Sequence, residues 1–190
     1  MPQRVVPVLL AMAFVPVVMA ADPLPRSTIG FEYGAAATLY NDSRLEGLNT
    51  NFAILFAVGQ YLNIGVYRET GYIHGEENNS NVEVDTTIHE LRIGLDIWRN
   101  ETHTQDVSVM MGYGYAKYDA TTPSIHIHEM VADLTARYTP VRVKSGPVIG
   151  AVTVNAGYRY ASLDNRDFGL TRRVDNLGGF VIGLGAGLSF

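Results

Sequence analysis

Ser124, His126 and His128 alternate with Pro and Ile over residues 123–128, so in an extended chain the hydroxyl and both imidazoles project to one side. Two histidines two residues apart can begin a zinc site, but such a site needs at least a third protein ligand. The sequence shows none at a recognisable spacing. A hydrolase would use one imidazole as the base for Ser124 or Ser162. The orienting carboxylate is then missing, because Glu90 and Glu129 fall on the opposite face of their segments. His74, His89, His126 and His128 are therefore read as polar groups on a rim. No catalytic residue, cofactor site or metal site is expected. Asn78-Asn79-Ser80 has the form of a glycosylation acceptor, and residues 75–81 read as a solvated loop.

A second set of chemical groups is more telling. Glu32, Glu69, Glu90, Asp96, Glu129 and Asp133 share an alternating position with Arg92, Arg137 and Arg159 and with runs of Gly and Asn. Charges of both signs on the face that also carries the smallest side chains suggest ion pairing in a confined space. What confines them has to come from the elements that carry them.

Those elements read as strands, because large apolar residues recur at every second position. Eight such segments follow in order: residues 28–40, 48–58, from 62 toward 72, 86–98, 107–118, 125–138, 148–161 and 180–190. The last is the clearest. Phe180, Ile182, Leu184, Ala186, Leu188 and Phe190 point one way, and Gly179, Gly183, Gly185, Gly187 and Ser189 the other. Connections alternate between polar loops at 41–47, 75–85, 119–124 and 163–176 and turns at 59–61, 99–105 and 139–147. All four loops lie on the side away from the termini. The fold class expected is all-β, an eight-stranded antiparallel up-and-down transmembrane β-barrel, in which strands of about ten residues suffice to span.

An eight-stranded barrel is just wide enough for side chains to fill it. The interior polar network expected is Glu32, Glu90, Arg92, Asp96, Glu129, Asp133, Arg137 and Arg159, a packed plug rather than a pore. Buried charges persist only when well satisfied, so the excess of acids places some of them at the rims. A soluble lipocalin-like binding barrel in the periplasm is the alternative, but it would carry its apolar face inward. Trp98, Tyr138 and Phe190 at one end and Tyr40, Tyr72, Tyr115, Tyr118 and Tyr160 at the other suggest two interfacial girdles. Trp98 has inward parity and must turn at its strand end. Arg68 falls on the lipid side with Ile64 and Val66. A bulge at Gly65 would turn it inward but send Glu69 out, so the expectation is that Arg68 lies above the midplane and snorkels to headgroup phosphates.

The 190-residue chain has a net charge of −5 and no cysteine. Disulfide scaffolds and cysteine chemistry are thereby excluded, and the lack of a basic cluster argues against nucleic acid as a partner. Arg4, the apolar run 5–18 and Val18-Met19-Ala20 read as a signal peptide over residues 1–20, leaving 21–190 as one barrel domain.

Signal peptide, eight alternating strands, the Gly157-Tyr158-Arg159-Tyr160 segment and the Gly-rich last strand ending in Phe190 resemble the small outer-membrane barrel family of the OmpA and OmpX type in Gram-negative bacteria. That resemblance implies residence in the bacterial outer membrane after signal cleavage and contact with its lipids and lipopolysaccharide. It further implies an assembly signal at Phe190, Leu188 and Ala186, with Tyr158, read by the barrel assembly machinery. The function expected is a non-enzymatic barrel displaying loops at the cell surface for stability, adhesion or interaction with a surface ligand. A lipid A-modifying hydrolase remains the alternative: Ser124 and His126 resemble the His-x-Ser arrangement of lipid A deacylases, though in reversed order.

Overall fold

The computed structural model describes residues 24, 26–77, 80–120, 125–166 and 174–190. Their regular elements are all strands: β1 (Ile29–Tyr40), β2 (Leu45–Val58), β3 (Leu62–Glu77), β4 (Ser80–Arg99), β5 (Asp106–Ala120), β6 (Ile125–Ser145), β7 (Val148–Arg166), β8 (Val174–Asn176) and β9 (Gly179–Ser189). Neighbours from β1 to β7 pair antiparallel, and β9 pairs with both β7 and β1, so the sheet closes on itself. The three-residue β8 only lengthens the pairing at the far end of β7. Eight strands thus form a closed antiparallel up-and-down barrel. The segment read as a signal peptide lies outside the described residues.

One hydrogen-bonded row shows how the ring is staggered. From Gly30 it passes Leu55, Gly65, Arg92, Gly112, Asp133, Arg159 and Gly179 and returns to β1 at Tyr40, ten residues beyond its start. Such a stagger tilts the strands and fixes a lumen only as wide as its own side chains. The row carries Arg92, Asp133 and Arg159 at three positions and glycine at four. At Gly112 the reason is direct: a Cβ there would lie 2.5 Å from Asp133 Oδ1 and 2.8 Å from Glu90 Oε2. Gly185 plays the same part beside Glu32 and Thr153, whose oxygens would stand 2.8 and 2.6 Å from a Cβ.

Because the ring is closed, alternation becomes inside against outside. Phe31, Tyr33, Phe52, Leu91, Ile93, Met111, Tyr113, Leu134, Phe180 and Ile182 are exposed on the outer wall, whereas Glu32, Asn49, Glu69, Glu90, Arg92, Asp133 and Arg159 are buried in the lumen. Trp98 turns outward as its position required, and the means is a register shift between Asp96 and Trp98. Arg68 keeps its outward place with no bulge at Gly65, since the pairing of β3 with β2 and β4 is continuous through it.

Three expectations need correction. The segment 75–85, read as a loop, is mostly strand: β3 and β4 stay paired up to Glu77 opposite Ser80. β6 likewise runs to Ser145 past an irregularity between Tyr138 and Val141, which leaves a short turn at Gly146, whose φ is +61°. In both places alternation continues with polar residues on one face, so a criterion based on apolar outer positions stopped too early. Tyr118 is not a girdle residue. It is buried in the lumen, and Tyr40 packs against the same interior cluster.

That cluster fills the loop end of the lumen with Leu45, Ile73, Val84, Ile88, Tyr118, Ile127, Val131 and Leu177. The interior is therefore polar through its middle and terminal end and apolar beneath the loops. At the terminal end the chain before β1 crosses the turns: Leu24 N donates to Thr102 O at 3.1 Å, His103 Nδ1 lies 2.9 Å from Leu24 O, and Arg26 reaches Leu62 O at 2.9 Å and Gly59 O.

Overfilling the lumen should cost more than a change on the outer wall. Gly112→Leu is expected to lower the stability of the refolded barrel by about 1–3 kcal/mol in urea titration, while the outward Met111→Leu leaves the midpoint unchanged.

Candidate functional site

The polar lumen is built in tiers, each held by residues that alternate inward on different strands. In the central tier Arg159 of β7 grips Glu69 of β3 with both guanidinium nitrogens, Nη1 to Oε1 at 2.6 Å and Nη2 to Oε2 at 3.0 Å. Asn49 Nδ2 donates to the same carboxylate at 2.9 Å, and the Tyr67 hydroxyl donates to its other oxygen. Arg159 is 2% exposed and Glu69 0%, so this two-pronged pair is screened by protein rather than by water.

Beside it Arg92 of β4 joins Glu90 of its own strand, Nε to Oε2 at 2.9 Å, to Asp133 of β6, Nη2 to Oδ2 at 2.6 Å. Its guanidinium also stacks over the Tyr67 ring at 3.3 Å, a cation–π contact. Asp133 lies 3.7 Å from Arg159 and Glu90 3.9 Å from it, which ties the two arginines into one cluster spanning β3, β4, β6 and β7. Glu90 Oε1 and Asp133 Oδ1 are buried without a hydrogen-bond partner.

The next tier toward the termini centres on Glu32. Arg137 Nη2 lies 2.6 Å from its Oε2, and Thr153 Oγ1 donates to Oε1 at 2.8 Å. At the mouth, Asp96 accepts from Asn63 at 2.8 Å and pairs with Arg99 at 2.6 Å and Arg26 at 3.5 Å. Asp106 pairs with Arg142 and accepts from Thr139 at 3.0 Å. A cavity of about 80 Å³ opens among these groups.

Of the residues expected in the interior network, Glu32, Glu90, Arg92, Asp96, Asp133, Arg137 and Arg159 stand in these tiers. Glu129 has the same inward position on β6 but makes no ion pair among the described residues. Sequence reasoning missed Arg26, Arg99, Arg142 and Asp106, which balance the acids at the mouth. Their signal was weak, because each sits before a strand or in a segment assigned to a turn.

The histidines fall elsewhere. His74 and His128 are exposed on the outer wall, and His89 lies outside the lumen with its ring 5.1 Å from that of Tyr115. Glu90 and Glu129 lie on the other side of the wall, so neither can orient an imidazole on the outside. Ser124 lies outside the described residues, as does the side chain of His126. Among the described residues no three His, Asp or Glu side chains are grouped as a metal would require.

No family model matches the sequence, and no curated protein matches it. Among solved structures the barrel is similar to Neisserial surface protein A, with 14% identity over 86% of this chain and 98% of that one at a TM-score of 0.52. It is also similar to the outer membrane protein OprG from Pseudomonas aeruginosa, with 8% identity over 88% of this chain and 98% of that one at a TM-score of 0.55. The likeness establishes the fold, that of a small eight-stranded outer-membrane barrel.

Removing one partner of a buried pair strands the other. Arg159→Met is expected to destabilise the refolded barrel by about 3–5 kcal/mol by leaving Glu69 unpaired. The double change with Glu69→Leu should recover most of the loss, as read from urea unfolding of both variants.

Proposed function

We propose that this chain, with the fold of the small outer-membrane barrels, is an integral protein of the bacterial outer membrane. In this reading it carries no catalytic activity and holds its loops at the cell surface for envelope stability, adhesion or interaction with a surface ligand. The observation that carries the reading is the outer wall. Phe31, Phe52, Ile93, Met111, Leu134 and Ile182 belong to an exposed apolar surface that continues around the closed sheet. Soluble proteins rarely leave more than a few hundred Å² of contiguous apolar surface uncovered, and lipid covers such a belt on a membrane barrel.

The inside supports the same role. A soluble binding barrel keeps an apolar cavity for its ligand, whereas this lumen is filled by ion pairs at its centre and packed apolar side chains toward the loops. With the termini on the periplasmic side, the opposite end of the barrel, where residues 41–44 join β1 to β2, is the end at the cell surface. β9 is the strand that closes the ring between β1 and β7. Ala186, Leu188 and Phe190 on its outer face, with Phe190 edge-on to Phe31 at 6.4 Å between ring centres, are the groups proposed to be read by the barrel assembly machinery.

The expected outcome is extraction from membranes only by detergent and a gel mobility that changes on boiling, because the closed hydrogen-bonded ring resists detergent until heated. Recovery with soluble periplasmic protein and no boiling-dependent shift would overturn the reading. Expression is further expected to leave the lipid A mass spectrum unchanged. A lost acyl chain, restored by His126→Ala or Ser124→Ala, would instead establish the hydrolase.

A further inference from the structure

Arg68 interrupts the apolar outer wall, and its neighbours are not those of an isolated defect. On β3 it follows the outward Ile64 and Val66 and is itself exposed, with no hydrogen bond or ion pair to any described residue. Directly across the β3–β4 pair stands His89, and on the next outward rung Thr70 faces Thr87. Four hydrogen-bond donors thus mark the corners of a patch on two adjacent strands, about 5 Å across the pair and about 7 Å along each strand.

The patch is ordered from both sides. Thr50 of β2 lies opposite Thr70, its hydroxyl donating to Thr70 O at 3.3 Å with the two Oγ1 atoms 3.4 Å apart. The Tyr115 ring on β5 lies against His89. Lys117, opposite Thr87, adds a further cation one strand away, where Asp119 holds it at 2.7 Å. The four corners include no carboxylate. Among the described side chains, the outward acids of these two strands, Asp85 and Glu83, stand beyond them toward the loops, Asp85 opposite Tyr72.

Depth selects the ligand. Spread over eight strands, the ten-residue stagger raises each hydrogen-bonded step by about 1.25 residues. That sets Arg68 level with Ile182 on the far wall and one rung below Phe180. The donors therefore lie within the upper edge of the apolar belt, facing lipid rather than open water. An anion that meets them there has to arrive on an amphiphile. A guanidinium fork with flanking hydroxyls matches phosphate oxygens, which accept from several donors at once.

Resting on the membrane reading above, we propose that Arg68, Thr70, Thr87 and His89 form a site on the outer wall for a phosphate group of lipopolysaccharide. The choice of lipid follows from the side: the patch is at the loop end, where the leaflet is phosphorylated glycolipid. The site ties one such lipid to the barrel at β3–β4, beneath the hairpin that extends beyond it.

The test uses the full barrel folded in detergent micelles, with folding verified by the boiling-dependent gel shift, and native mass spectrometry of bound lipid. Bisphosphorylated lipid A should be retained about tenfold more than enzymatically dephosphorylated lipid A, and Arg68→Gln should reduce its retention about tenfold, the factor carried by one charge-assisted hydrogen bond. Arg44→Gln, in the first loop, should leave retention unchanged. Equal retention by Arg68→Gln, or of the dephosphorylated lipid, overturns the site. Equal retention of phosphatidylglycerol overturns the choice of glycolipid, and displacement by millimolar inorganic phosphate overturns a lipid ligand in favour of a free anion. A wild-type barrel without the gel shift refutes the membrane reading itself, whereas a shifted barrel that ignores lipid A phosphate refutes only the site.

Discussion

Pairing of β9 with β1 is the constraint on which the rest of the molecule depends. Once those strands are joined along Gly30–Tyr40 and Gly179–Ser189, the sheet has no free edge among its eight barrel strands. Every inward position is then committed to a lumen whose width is set by strand number and stagger. Small residues and paired charges share that lumen because nothing else fits. Glycine at positions 112 and 185 leaves room for carboxylates, Glu90 and Asp133 at the first and Glu32 at the second, that nearby arginines balance.

Balance is achieved locally. Glu69 is neutralised by Arg159, Glu90 and Asp133 share Arg92, Glu32 is met by Arg137, and Asp96 and Asp106 are met at the mouth by Arg26, Arg99 and Arg142. Arg159–Glu69 braces the ring across its diameter from β7 to β3, and Arg92–Asp133 and Arg137–Glu32 join other non-adjacent strands, whereas the remaining pairs act within β4, between β5 and β6, or through the chain before β1. Replacement of such pairs by apolar groups can be neutral in general. Here the tier beneath the loops shows the apolar solution in the same lumen, with Ile73, Val84, Ile127 and Leu177 packed together. The two fillings divide one lumen into a polar mouth, an ionic centre and an apolar cap.

The outer wall is uneven in a complementary way. Its apolar column is long on β9, from Phe180 to Phe190, and short on β3, where Arg68 follows Ile64 and Val66. A barrel with a polar notch on one flank presents different sides to its surroundings, even though its strands pair in a regular ring.

Much of this was legible in the residues alone. Alternation identified the eight barrel strands and assigned their faces, because side chains on a strand change sides at each step and the last strand has glycine on nearly every inner position. Arg92, Asp133 and Arg159 were legible as inward charges for the same reason. The ends of β3, β4 and β6, the luminal Tyr118, and the partners Arg26, Arg99 and Arg142 were not, since beyond the apolar outer belt polarity no longer distinguishes the two faces. The sequence by itself determined which side of each strand is apolar and that the other side carries charge. Which carboxylate meets which arginine, how the apolar cap closes the lumen, and that Arg68, Thr70, Thr87 and His89 stand together were decided only by tertiary structure. Those contacts depend on register and stagger between strands, and a chain read one segment at a time contains the period of each strand but not its offset from the next.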